Sequence, residues 1–233
     1  MPIIDKFKDM GTVVMGKIES GTIRKGDSLL VMPNKAHVKV IGIAIYCDEN
    51  KARRSGPGEN VCAKLTGIEE ENILPGFVLS SIMRPIPSVT EFTAQLQIIE
   101  LLDNAIFTAG YKAVLHIHSV VEECGIVALL QQIDPKTKKP MKNKLLFVKN
   151  GAVVMCRIQV SNIICVEKFS DFPQLGRFTL RREGKLFAVG KVTGLQQLLS
   201  KSEYFVVLST FLISMLSQSL CPLAAAVSEY PKL

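Results

Sequence analysis

His116 and His118 stand two residues apart in an apolar, β-branched run, a spacing that in a strand sets both imidazoles on one face. Such a pair ligates a metal when a third donor joins it. Cys124 is the nearby thiol, and no further donor lies close in sequence. No metal is therefore expected, and the pair reads as polar residues at an interface between domains or with a partner. Arg177, Thr179 and Arg181 alternate with Phe178 and Leu180, directly after Gly176. In a strand, one face would carry two guanidinium groups and a hydroxyl, and the other two apolar side chains for a core. The planar fork of arginine suits hydrogen-bonded protein interfaces.

Other polar clusters are less specific. Glu69, Glu70 and Glu71 are adjacent, so they point to different faces and repel one another; they read as a solvated stretch or as a dock for a basic partner. The lysine-rich residues 136–144 read as a solvated hairpin tip or as a contact to ribosomal RNA or an acidic partner through backbone charge. No aromatic residue is interleaved there, which disfavours sequence-specific RNA reading. The chain has no G-x-x-x-x-G-K-[ST] phosphate loop, no Asn-Lys-x-Asp and no G-x-S-x-G elbow. No catalytic residue and no bound cofactor are expected, and an enzyme is the last reading. Cys47, Cys62, Cys124, Cys156, Cys165 and Cys221 form no C-x-x-C pair, and most sit inside apolar runs. They read as buried, reduced thiols of a cytoplasmic protein.

The elements that must position these side chains are strands. Of the 233 residues, 48% are hydrophobic and 21% charged, a folding composition. The net charge of +7 suits an anionic partner such as RNA or an acidic protein face. Residues 11–32 read as a hairpin with Glu19-Ser20-Gly21 as a turn, and residues 38–46, 61–65 and 77–79 continue the strand series. Residues 84–89, with Pro85 and Pro87, form the linker candidate. A second series follows over residues 92–100, part of 110–122, 125–134, 152–160, 163–168, 176–181 and 186–193. The turns recur too often for crossover helices, so pairing should be antiparallel. The expected fold class is all-β: two antiparallel β-barrels, residues 1–86 and 87–194, followed by an atypical apolar tail, residues 195–233.

Residues 204–228 carry one charge-free apolar stretch up to Ser228, save Glu229 beyond it. Three readings stay open: a membrane anchor, an extra helix packed on the barrels, and a non-native tail. Membrane contact is expected of no other segment. The N-terminus has no secretory apolar region and begins almost inside a strand pattern, which suggests sequence upstream.

Residues 11–21, Gly-Thr-Val-Val-Met-Gly-Lys-Ile-Glu-Ser-Gly, followed by Lys25-Gly26, resemble the opening hairpin of the second domain of translational GTPases. Pro57-Gly58-Glu59-Asn60-Val61 resembles a later loop and strand of that domain. Gly110-Tyr111 with Val114 to His118, and residues 175–181, Leu-Gly-Arg-Phe-Thr-Leu-Arg, are similar to the third domain in the elongation factor 1-alpha branch. Residues 8–14, 67–77 and 171–181 favour the eukaryotic release-factor GTPases within it. The ribosome-rescue relatives and elongation factor 1-alpha itself, a carrier of aminoacyl-tRNA, are the alternatives.

The resemblance covers residues 2–194. It implies a translation-termination role: Gly176, Arg177, Phe178, Thr179, Leu180, Arg181, His116 and His118 would hold the stop-codon-reading class I release factor, with the second domain against the ribosome. GTP and Mg would belong to the GTPase domain that the family carries upstream, which has no counterpart in these residues. Arg182 stands where the family usually has an acid.

Overall fold

The structure is a computed structural model and describes residues 1–9, 11–45, 52–101, 106–134, 141 and 145–196. Short strands, most of them rich in Val and Ile, build its first sheet: β1 (Ile3–Lys8), β2 (Thr12–Lys17), β4 (Ser28–Met32), β5 (Ala36–Ile45), β7 (Asn60–Thr66) and β8 (Val78–Ser81). A two-residue ribbon pairs β3 (Ile23–Arg24) with β6 (Arg54–Ser55). The strand order is β1-β2-β7-β5-β4-β8, all antiparallel. Its two edges meet through the bridge Pro2↔Val78 and the bonds from the Ile3 amide to the Phe77 carbonyl and from the Leu79 amide to the Met1 carbonyl. The sheet is thereby curled around Val14, Val31, Val40, Val61, Ala63 and Leu65.

The second sheet is a closed barrel, ordered β10-β11-β12-β9-β14-β13. Its strands are β9 (Ser88–Ile98), β10 (Lys112–Ile117), β11 (Val120–Ile133), β12 (Val153–Cys165), β13 (Arg177–Arg182) and β14 (Lys185–Gln196). Its interior holds Phe92, Leu96, Leu115, Ile126, Ile158, Leu180 and a ring cluster in which Tyr111 and Phe187 lie 5.4 Å apart and Phe107 and Tyr111 5.2 Å apart. The helical turns are a 3-10 turn, Glu70–Asn72, and the one-turn helix α1, Pro173–Gly176. No helix among the described residues is long and apolar enough to cross a membrane. The all-β reading with two antiparallel barrel-like sheets holds.

Several boundaries differ from the sequence expectation. The break expected between residues 122 and 125 is continuous strand, and the hairpin turns instead at His118-Ser119, where His118 has φ +50°. Residues 152–168 do not form two strands either. β12 runs through Ser161-Asn162, with its register slipping against β9 between Gln159 and Ile164. An irregularity absorbs the polar pair without ending the strand. β1 lies ahead of the expected first strand, and a short ribbon pairing Ser55 with Ile23 adds to the expected strands. The lysine-rich loop apart from Met141, and the tail beyond Gln196, lie outside the described residues, as do Cys47 and Cys221.

The two sheets pack on each other. Met32, Val78, Ile86, Cys165 and Leu175 form a shared apolar cluster, with Phe172 against it. The Ser119 hydroxyl donates to the Ile3 carbonyl at 3.0 Å. Gly76, at φ +94°, leaves no room for a Cβ, which would meet Val120 Cγ2 at 2.7 Å. Burial pushes the thiols of Cys124, Cys156 and Cys165 up to about 12, so they stay protonated packing groups.

Candidate partner-binding face

β13 begins where α1 stops. Pro173 starts that turn, and Gly176 ends it beneath Phe169: a Cβ on Gly176 would sit 2.5 Å from Phe169 Cα. From there the alternation is as the residue types demand. Phe178 and Leu180 are buried in the barrel, Phe178 edge-on to Phe92 with centroids 5.7 Å apart. Arg177 and Arg181 are exposed, and Thr179 half-buried.

Residues directly opposite in an antiparallel ladder share a face. On one side of β13, His116 pairs with Thr179 and Val114 with Arg181. On the other side, Lys191 pairs with Arg177, Val189 with Thr179 and Leu186 with Arg181. Val121, opposite His116, is 58% exposed, and Leu186 is 43% exposed. The outer face therefore combines Arg177, Lys191, Thr179, His116 and Arg181 with exposed aliphatic groups. Arginine is among the residues enriched in protein-binding patches. The His116 imidazole is held below its ordinary pKa, first by desolvation and then by the Arg181 charge, so at neutral pH it offers an uncharged donor and acceptor.

His118 does not join this row. The two histidines share no strand face, because β10 ends at Ile117 and the chain turns through a left-handed residue. The His118 Nε2 instead lies 3.3 Å from Glu19 Oε1, just after β2 of the first sheet, and the Lys17 ammonium lies 3.9 Å from the same oxygen. It is thus a residue of the junction between the sheets. No group of three or more metal-ligating side chains occurs among the described residues. Arg182 also leaves the row. Its guanidinium rests over the Tyr111 ring at 4.7 Å, with Nε 3.9 Å from Glu183 Oε1. Of the eight candidate residues, Arg177, Thr179, Arg181 and His116 come together outside, Gly176, Phe178 and Leu180 lie beneath them, and His118 stands apart. Lys191 and Leu186 beside β13, and Val121 one strand further on, are additions that alternation alone could mark as outward but could not place there.

Residues 11–80 match the family described as elongation factor Tu domain 2, and residues 91–193 match the family described as GTP-eEF1A C-terminal domain-like. The chain is 42% identical over 194 residues to the eukaryotic peptide chain release factor GTP-binding subunit of Debaryomyces hansenii, covering 83% of this chain and 27% of that protein. It is 44% identical over 196 residues to the same subunit of Ogataea pini, covering 84% of this chain and 26% of that protein. The crystal structure of Sup35 complexed with GDP superposes with a TM-score of 0.78 at 37% identity, over 84% of this chain and 47% of that one. The chain spans about a quarter of the length of the curated relatives it matches. With both β domains matched in order and the same subunit named among its relatives, the chain belongs to the elongation factor 1-alpha-like translational GTPase family, in the branch of the eukaryotic release-factor GTP-binding subunits.

Proposed function

We propose that this chain is the partner-gripping part of a translation termination factor, which binds the stop-codon-recognising class I release factor and the ribosome in the cytoplasm. In this reading the barrels are two domains, residues 1–86 and 87–194, and the second carries the release-factor contact. The contact is made by Arg177, Thr179, Arg181 and His116, while Gly176, Phe178 and Leu180 hold β13 in place beneath them. His118 acts indirectly, by fixing the second barrel against the first. GTP and Mg belong to another module of the full-length family, and these barrels are not an enzyme by themselves. The glycine-rich turn at residues 55–58 does not fit a nucleotide phosphate, because the Gly56 amide already donates to the Glu59 carboxylate at 2.7 Å.

The observation that carries the reading is the outward row Arg177-Thr179-Arg181 with His116 directly opposite Thr179. The fork of Arg181 stands exposed beside half-buried Val114, where a partner carboxylate or carbonyl can be held bidentately out of bulk water. Binding of the class I release factor by isothermal titration tests it. Arg181→Ala should raise Kd by about 30-fold, the loss of about 2 kcal/mol typical of an arginine anchor. Unchanged affinity would remove the assignment.

A further inference from the structure

We infer that Gly125 floors a notch in the outer wall of the second barrel that seats an aromatic side chain of the class I release factor. The choice of partner rests on the release-factor reading; the notch itself does not.

The strand glycines among the described residues are Gly16, Gly42, Gly125, Gly190 and Gly194. All but one have a reason in the fold. A Cβ on Gly16 would meet the Pro2 carbonyl, and one on Gly190 would meet the Phe178 and Leu96 side chains. Gly42 and Gly194 each stand at a register shift, where a strand bends. Gly125 has none of these. Its φ lies outside the left-handed region, and it pairs without irregularity with Lys112 on one side and Gln159 on the other. A Cβ on it would meet no described atom within 4 Å. Glycine inside a strand weakens that strand, and one that the fold does not require marks a close approach by another molecule.

Lys112 and Gln159 lie directly opposite Gly125 and are exposed, so they form the two walls of the notch. It opens into a groove of about 760 Å³, which Val114, Val127 and Arg181 also line. A glycine in a sheet is stabilised by an aromatic ring laid over it from a neighbouring strand. Neither ladder neighbour of Gly125 is a ring, so the partner supplies it. A ring flat on this backbone touches the methylenes of Lys112 and Gln159, with the Lys112 ammonium at its face. Lys112 takes part in no salt bridge among the described residues. The notch is continuous with the β13 row, because Val114, the next outward residue of β10, pairs with Arg181. An aromatic anchor beside an arginine is the pairing that dominates protein interfaces. Glu123 and Glu183 line the same groove and oppose the phosphates of a nucleic acid.

The test uses the whole 233-residue chain. Gly125→Val fills the notch from a strand position with open space above it, so the urea midpoint should hold or rise. Its Kd for the class I release factor, by isothermal titration, should rise about tenfold or more, and that of Gly125→Ala by less. Benzoylphenylalanine in place of the exposed Val127 should crosslink to a release-factor segment that carries Phe, Tyr or Trp. Parent-like binding by Gly125→Val, a fall in its urea midpoint, or a crosslinked segment with no aromatic residue would each overturn the proposal. So would a Gly125→Val variant that loses affinity only for single-stranded RNA of arbitrary sequence, since a base would then occupy the notch. Loss only of self-association by the parent chain in analytical ultracentrifugation would do the same, in favour of a second copy. If Arg181→Ala weakens release-factor binding and Gly125→Val does not, the notch fails and the release-factor reading stands. If the parent chain does not bind the release factor, that reading fails and takes the partner assigned to the notch with it.

Discussion

The two barrels close in different ways. In the second, β10 pairs with both β11 and β13, so the ladder runs around the whole circumference and leaves no edge. In the first, the edge strands β1 and β8 meet only through one bridge and a few hydrogen bonds, and one partner in that bridge is Pro2, which has no amide to donate. The interiors differ in the same sense. Phe92, Phe107, Tyr111, Phe178 and Phe187 fill the second barrel, whereas the first is filled by aliphatic side chains. A continuous ladder around an aromatic core gives β13 a stiff support, and the row of side chains proposed to meet a partner in register would gain from such stiffness. The first barrel instead relies on the second at its seam: Ile3, whose amide helps to close it, also takes the Ser119 hydroxyl through its carbonyl.

Removing the aromatic core tests that contrast most severely. Phe187 is buried against both Phe107 and Tyr111. Phe187→Ala should cost about 4 kcal/mol of unfolding free energy in a urea titration, the usual loss for a buried phenyl ring. A loss below about 1 kcal/mol would mean that the second barrel does not depend on its ring cluster. Gly176→Ala should cost less, about 2 kcal/mol, because the new methyl group meets the Phe169 backbone rather than a side chain able to move aside. That variant should also weaken release-factor binding without touching any exposed residue, since it displaces the start of β13. Smaller again is the seam. His118→Ala removes one polar contact to Glu19, whose side chain is 10% exposed, and should cost about 0.5 kcal/mol. If the loss approaches that of Gly176→Ala, the His118–Glu19 contact carries more of the junction's stability than one polar bond implies.

The sequence showed the face of β13 but not its neighbourhood. Alternation over residues 177–181 separates Phe178 and Leu180 from Arg177, Thr179 and Arg181, because a strand has a period of two. Placing His116 opposite Thr179 requires a register between strands more than 60 residues apart, and nothing local encodes it. The hairpin at His118-Ser119 escaped notice for a physical reason as well. It contains no glycine, proline or asparagine, and His118 accepts a left-handed conformation that the turn rules assign first to glycine. Cys124-Gly125, by contrast, looked like a break and is paired strand, because its partners Val160 and Gln159 continue the ladder past it. The aromatic cluster was equally hidden, since Phe107, Tyr111 and Phe187 come from separate parts of the chain and meet only when the barrel closes.

The finest discrimination between face and seam is by proton. Desolvation, and then the Arg181 charge, hold the His116 pKa below its ordinary value in the folded chain. The unfolded chain therefore takes up that proton first as pH falls. Above about pH 6.5 the imidazole is neutral in both states and its contribution to stability is fully present. As pH falls below that value and through the folded pKa, protonation draws the equilibrium toward the unfolded chain and the contribution is lost. An NMR titration should show the His116 ring titrating below the ordinary imidazole value, and Arg181→Ala should move it back upward. A His116 titration that ignores Arg181→Ala would mean that the two groups do not share the face on which β10 and β13 place them, and the row opposite Thr179 would lose its charged member.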